Sequence, residues 1–216
     1  MNTPLENHIE HSLLRPTASL KEIQQLCKEA IENKFYGVCV HSCHTLFARY
    51  LLRGTAVKLV TVIGFPLGTP STETKVFEAC NAIENGADEL DMVMHLGALK
   101  YGDEAYVVHD ISQVKKAIDN RPLKVIIESS VLDAGEIRKA CRLVMESGAD
   151  FVKTSTGFAE GGARLEDVRL IREMVGDHLG IKASGGISTR EAALEFLAAG
   201  ATRIGTSAGP ALMKSG

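Results

Sequence analysis

Two lysines interrupt otherwise apolar runs. Lys153 sits in Phe151-Val152-Lys153-Thr154-Ser155-Thr156-Gly157-Phe158, and Lys182 in Gly180-Ile181-Lys182-Ala183-Ser184-Gly185-Gly186-Ile187. Both segments read as short strands, and period two puts Lys153 on the same side as Phe151. An ammonium in such a strand is costly unless it is paired or functional. The plain alternative is that Lys153 caps its strand against a carboxylate. Neighbouring strands lie about 4.8 Å apart, so the two ammonium groups can approach closely. Like charge then lowers the pKa of at least one, and an unprotonated amine is what a Schiff-base nucleophile needs. Lys153 is read as the nucleophile and Lys182 as its electrostatic perturber, although spacing alone leaves the order open.

Other polar residues stand near these lysines in the pattern. Asp91 lies inside the run Asp88-Glu89-Leu90-Asp91-Met92-Val93. It is a candidate to accept or relay protons, or simply to neutralise a lysine. Asp88 and Glu89, nearer the strand start, read as structural. Gly185-Gly186 follows Lys182 directly, and Arg203-Ile204-Gly205-Thr206-Ser207 closes the series. Glycines let backbone N–H groups approach an anion, and Ser207 adds a hydroxyl. Both segments therefore suit a phosphate.

The elements that must position these residues alternate. Apolar runs at Gly37 to Val40, Lys58 to Ile63, Glu89 to Met94, Leu123 to Ile127, Phe151 to Lys153, Gly180 to Ala183 and Arg203 to Gly205 predict seven parallel strands. Ile9 to Leu14 is a weaker eighth. Between them, Ile23/Leu26/Cys27/Ala30, Val107/Ile111/Val114/Ile118 and Ile137/Ala140/Cys141/Val144 show helical spacing. Ser19 and Glu22 form a capping-box pattern before the first of these. Gly86-Ala87-Asp88, Gly148-Ala149-Asp150 and Gly200-Ala201-Thr202 repeat at helix-to-strand junctions, where glycine can stop a helix. The expected fold is a single-domain α/β (β/α)8 TIM barrel spanning residues 1–216, with its site at the carboxyl ends of the strands. An open doubly wound sheet is the alternative, but no Gly-x-Gly-x-x-Gly follows the first strand.

Composition fits such a domain. Of 216 residues, 45% are hydrophobic and 24% charged, and the formal net charge is −3. That balance offers no basic nucleic-acid surface, though it does not bear on a local phosphate pocket. No apolar run is long enough to span a bilayer, and the polar N-terminus carries no signal-peptide core. Cys27, Cys39, Cys43, Cys80 and Cys141 are odd in number and irregular in spacing. They read as reduced thiols of a cytoplasmic protein, with Cys27, Cys80 and Cys141 on apolar helix faces.

Taken together, these segments resemble the deoxyribose-phosphate aldolase family of class I, Schiff-base aldolases. The two lysine motifs carry the resemblance, with Val60-Thr61-Val62-Ile63-Gly64-Phe65-Pro66-Leu67-Gly68 and Lys124-Val125-Ile126-Ile127-Glu128, from about His8 to Gly209. It implies a lyase that reversibly cleaves 2-deoxy-D-ribose 5-phosphate to acetaldehyde and D-glyceraldehyde 3-phosphate. It implies that Lys153 forms the Schiff base, that Lys182 lowers its pKa, and that Asp91 is the proton-relay acid. Gly157, Gly185, Gly186, Gly205 and Ser207 match positions around the phosphate, and Thr156 a position lining the site. It also implies a first strand at Ile9 to Leu13, a dimer, and small phosphosugar and aldehyde partners.

The chain departs from the family pattern in places. Glu10-His11-Ser12-Leu13-Leu14-Arg15 stands where the family usually has Asp-His-Thr-Leu-Leu-Lys, so Glu10 is one methylene longer. Val40-His41-Ser42 replaces Val-Asn-Pro, and His95 stands where Asn is frequent. The sequence closes on Lys214-Ser215-Gly216, without the terminal Tyr of some members.

Three other readings compete. Cys39, His41, Cys43 and His44 raise a metal-dependent aldolase or hydrolase, without a recognised ligand spacing. A different phosphosugar barrel enzyme would share the phosphate loops. A non-catalytic phosphate-binding barrel would tolerate loss of Lys153. No cofactor and no metal are expected, because the lysine itself supplies the electron sink.

Overall fold

The computed structural model describes residues 4–213. Eight parallel strands close into a barrel in chain order: β1 (Ile9–Leu13), β2 (Gly37–Val40), β3 (Lys58–Ile63), β4 (Glu89–Val93), β5 (Leu123–Ile126), β6 (Phe151–Lys153), β7 (Gly180–Ser184) and β8 (Arg203–Thr206). Around them run α1 (Leu20–Glu32), α2 (Thr45–Leu51), α3 (Thr72–Glu84), α4 (Leu96–Tyr101), α5 (Glu104–Ala117), α6 (Ala134–Glu146), α7 (Leu165–Val175), α8 (Arg190–Ala198) and α9 (Gly209–Leu212). The eighth strand, weak from local pattern, is real and joins β8 to β2. Its alternation was hard to read because Glu10 and His11 are buried. Of the other strands, β2, β3 and β6 match the expected bounds and β4, β5, β7 and β8 differ at one end by a single residue, within the usual fraying of such boundaries.

Local chemistry explains the helices. Ser19 and Glu22 form the expected capping box at α1, and Asp133 with Glu136 forms another at α6. The apolar residues of α1, α5 and α6 named by their spacing are buried against the outside of the barrel. Cys27 and Cys141 are buried among them, whereas Cys80 is only half-buried.

The Gly-Ala-Asp/Thr repeat has a specific task at the barrel floor. Gly86, Gly148 and Gly200 all have φ between 79° and 114°, a conformation that glycine adopts without steric cost. The residue two positions on then caps the strand before it. Asp88 Oδ2 accepts the Leu59 N–H at 2.8 Å, Asp150 Oδ2 that of Leu123 at 2.7 Å, and Thr202 Oγ1 that of Ile181 at 3.1 Å. Arg49 and Lys115 pair with the two aspartates. Asp88 is thus structural, as its place in the sequence predicts.

The barrel interior has two characters. Cys39, Val60 and Val62, with Leu14 and Phe65, form an apolar cluster apart from the main core. The rest of the interior is charged, with Glu10, Glu89, Asp91, Lys124 and Lys182 all buried.

Candidate active site

The site is assembled by strand register. Lys153 and Lys182 are directly opposed partners on β6 and β7, and Asp91 is opposed to Lys124 on β4 and β5. Alternation then turns all four side chains into the barrel. Lys153 Nζ donates to Asp91 Oδ2 at 2.8 Å, and Lys182 Nζ donates to the same oxygen at 2.6 Å. Lys124 Nζ takes the other oxygen, Oδ1, at 2.9 Å. Lys182 also donates to Glu10 of β1.

The electrostatics of Lys182 runs against the sequence expectation. Mutual repulsion was expected to depress one of the two lysines. For Lys182, burial does push the ammonium down, but Asp91 and Glu10 outweigh both it and the nearby Lys124, holding it above the ordinary lysine range. Lys182 is therefore a fixed cation. Asp91 is shifted the other way: burial alone would raise it, yet Lys124, Lys153 and Lys182 hold the carboxyl well below its usual range. Asp91 is therefore ionised, with lone pairs open to a proton.

Above this cluster lies a cavity of about 490 Å³ at the carboxyl ends of the strands. Lys153 lines it, as do Thr156, Gly157, Gly185, Gly186, Gly205 and Ser207. Lys182 and Asp91 are fully buried beneath Lys153. The loops after β6, β7 and β8 are tied to one another. Ser184 Oγ donates to Ser155 O at 2.6 Å, the Ala163 N–H to Gly185 O at 3.1 Å, and Thr206 Oγ1 to Ile187 O at 2.6 Å. Gly157, Gly185 and Gly186 take positive φ. Gly205 lies within β8 and has a different role: a Cβ there would stand 3.0 Å from Lys182 Cε and 2.9 Å from Ser184 Cβ. Its missing side chain makes room for the lysine.

Sequence reasoning passed over four participants. Lys124, in the Lys124-Val125-Ile126-Ile127-Glu128 run, is fully buried on Asp91. Glu10, noted only as one methylene longer than the family's Asp, pairs with Lys182. Glu128 accepts the Thr156 N–H and hydroxyl. Arg15 lines the cavity mouth, paired with Glu22, and is the cation there besides Lys153 among the described residues. A lysine or glutamate within a run otherwise made for a strand was the available signal for Lys124 and Glu10.

Cys39 and Cys43 do not converge. Cys39 is buried with Sγ 3.9 Å from Asp91 Oδ2, whereas Cys43 is exposed. His41 Nε2 lies 2.7 Å from Leu14 O. Among the described residues, no three His, Cys, Asp or Glu side chains are grouped to hold a metal ion. Lys214 to Gly216 lie outside the described residues.

A closed (β/α)8 barrel that presents a lysine to its cavity above an ionised carboxylate has the groups that carbonyl chemistry through an amine requires. The chain belongs to the DeoC/LacD family of aldolases, whose pattern matches residues 4–214, and it is accordingly a lyase. It is 53% identical over 209 residues to a deoxyribose-phosphate aldolase of Thermococcus kodakarensis, covering 95% of this chain and 93% of that one. A deoxyribose-phosphate aldolase of Ureaplasma urealyticum is 51% identical over 200 residues, covering 93% of each chain. Among solved structures, the tetrameric deoxyribose phosphate aldolase of Aeropyrum pernix superposes with a TM-score of 0.89 at 32% identity, covering 96% of this chain and 88% of that one.

Proposed function

We infer that this chain cleaves 2-deoxy-D-ribose 5-phosphate reversibly to acetaldehyde and D-glyceraldehyde 3-phosphate, with Lys153 as the Schiff-base lysine. The observation that carries the assignment is that Lys153 lines the cavity while Lys182 lies sealed below it, held as a cation by two carboxylates. In this reading the Lys153 amine attacks the aldehyde carbon of the open-chain sugar, and water leaves to give the iminium. A proton leaves the C3 hydroxyl, the C2–C3 bond breaks, and its electron pair flows into the iminium to form an enamine. Glyceraldehyde 3-phosphate departs. The enamine takes a proton at C2, and water hydrolyses the resulting iminium to release acetaldehyde.

Asp91 serves as the proton relay, supported by its contact with the Lys153 Nζ and its depressed pKa. Lys182 supplies the positive field that disfavours a second cation on Lys153. Gly157, Gly185, Gly186 and Ser207 offer backbone N–H groups and a hydroxyl to the phosphate, with Gly205 leaving space beside them and Arg15 adding positive charge at the mouth. Thr156 shapes this loop: its hydroxyl donates to Glu128 and accepts the Phe158 N–H.

The barrel acts as a single domain in this proposal. Exposed Leu46 and Tyr50 on α2 and Phe77 on α3 support a homodimer that covers them. Five free cysteines support a reducing, cytoplasmic location.

The deciding experiment is borohydride reduction in the presence of acetaldehyde, alongside a steady-state assay with 2-deoxyribose 5-phosphate. The expected result is turnover and a reduced adduct on the peptide containing Lys153. An adduct confined to Lys182 reverses the assignment of roles.

A further inference from the structure

The charged half of the barrel interior is a continuous column from floor to cavity. At the floor, the Arg203 guanidinium stacks 3.4 Å over the Tyr36 ring, and the Tyr36 hydroxyl donates to Glu89. Glu89 Oε2 pairs with Lys124 Nζ at 2.7 Å, and Lys124 reaches Asp91 at 2.9 Å and Glu10 Oε1 at 3.5 Å. Arg203 Nε stands 3.2 Å from the same Glu10 oxygen. Asp91 then meets Lys182 and Lys153. Glu10, Glu89, Asp91, Lys124 and Lys182 are each at most 5% exposed, so water screens little of their interaction.

The column holds four cationic side chains, Lys124, Lys153, Lys182 and Arg203, against three carboxylates, Glu10, Glu89 and Asp91. It is neutral when Lys153 is a free amine and carries one surplus positive charge when Lys153 is an ammonium. A surplus charge in a buried, low-dielectric column is unfavourable. Lys153 is the one of the four cations that lines the cavity, so it is the one able to exchange its proton there.

We propose that Glu89 and Lys124, at the floor of the barrel and away from the cavity, are positioning residues that act in opposite directions on the charge balance of the column: Lys124 favours the free amine of Lys153 and Glu89 holds that bias in check. The assignment rests on the reading of Lys153 as the nucleophile. The groups facing Lys153 are Asp91 from β4, Lys182 from β7 and the Cys39 thiol from β2. Behind them stand Lys124 from β5, Glu10 from β1 and Arg203 from β8. Glu128, a further buried carboxylate on this side, is engaged with Thr156 and with none of these amines. Tyr36, pushed up to about 12 chiefly by burial and by Glu89, stays neutral. Glu89 is lowered despite its burial, chiefly by Lys124, and Lys124 is raised despite its own by Asp91, Glu10 and Glu89, so both are ionised.

The test reads the pH dependence of Lys153 trapping by acetaldehyde and cyanoborohydride in three variants, with adducts located by mass spectrometry. Glu89→Gln removes a negative charge and leaves two surplus positives with Lys153 protonated. Its half-maximal trapping rate moves to lower pH, by roughly one unit. Lys124→Met removes a cation and leaves three charges of each sign with Lys153 protonated. Its half-maximal rate moves to higher pH, and trapping at neutral pH falls about tenfold. The double variant restores the original imbalance of one, so its profile returns toward wild type. Two merely structural lesions would add, not cancel. If either single variant fails to fold, the double variant measured against the surviving single one still decides. Unmoved profiles, or shifts that add in the double variant, overturn the proposal. Absence of any adduct on Lys153 in the wild-type enzyme overturns the underlying reading instead.

Discussion

Glu128 holds Thr156 twice: its carboxylate accepts the Thr156 N–H at 3.1 Å and, more closely, the Thr156 hydroxyl. Glu128 itself sits at φ 50°, a conformation rare outside glycine. It is held there as the chain turns from β5 into the loop that meets Thr156. Hydrogen bonds to a buried charge are worth about 1.5–3 kcal/mol. Glu128→Gln should therefore loosen the loop carrying Thr156 and Gly157, raising KM for the phosphorylated substrate on the order of tenfold with a smaller change in kcat. Steady-state kinetics separates the two, and a fall in kcat at constant KM would place Glu128 among the reacting groups.

Lys182→Leu should keep the fold and lose activity. Removing one partner of a buried ion pair costs about 3–5 kcal/mol, a loss moderated here because Lys124 still faces Asp91 and Arg203 still faces Glu10, and the positive field on Lys153 disappears. A loss on the order of 10³ in kcat/KM, about 4 kcal/mol, is expected, with an unchanged circular dichroism spectrum. Activity near the wild-type level would mean that the opposed lysines on β6 and β7 do not cooperate.

Gly205→Ala tests the packing beneath the cavity. The added methyl meets Lys182 Cε and Ser184 Cβ at or below 3.0 Å. Overpacking of this kind costs about 1–3 kcal/mol. The variant should melt several degrees lower and turn over more slowly, because Lys182 must move off Asp91. Unchanged melting and unchanged rate together would show that the strand yields instead.

Asp150→Ala separates the stability face from the catalytic face. It removes the acceptor for the Leu123 N–H and the partner of Lys115. A loss of about 1–3 kcal/mol in urea unfolding is expected, with KM unaffected. A changed KM would couple the floor to the cavity through β5.

Acid stability follows from the column. The Asp91 carboxyl, raised by burial but lowered further by Lys124, Lys153 and Lys182, lies well below its ordinary 3.8; Glu89, likewise desolvated, is lowered from 4.5 chiefly by Lys124. Each is protonated sooner in the unfolded chain than in the folded one. The stabilisation is complete above the unfolded values and lost as pH falls below about 4. The urea midpoint should be flat from neutral pH to about 5 and then fall. Asp91→Asn should make that acid slope shallower, and an equally steep slope would remove Asp91 as its source.

Much of this protein is legible along the chain, for reasons of periodicity. Helical faces such as Ile137, Ala140, Cys141 and Val144 and doubly buried strands such as Leu59 to Ile63 are set by local alternation and burial. The glycines at 86, 148 and 200 mark junctions because few residues other than glycine sit readily at those angles. Lys153, Lys182 and Asp91 are conspicuous because a charge inside an apolar strand demands a reason. What the tertiary structure alone decided is which charges meet. Glu10 lies 172 positions from Lys182 in sequence, and closure of β1 against β8 is what brings it into the barrel. The same closure seats Lys124 between Glu89, Asp91 and Glu10. Which amine faces the cavity and which stays a buried cation depends on register and depth across eight strands, and on carboxylates contributed from opposite ends of the chain. No local pattern encodes that sum, because a buried charge answers to every partner that folding places around it.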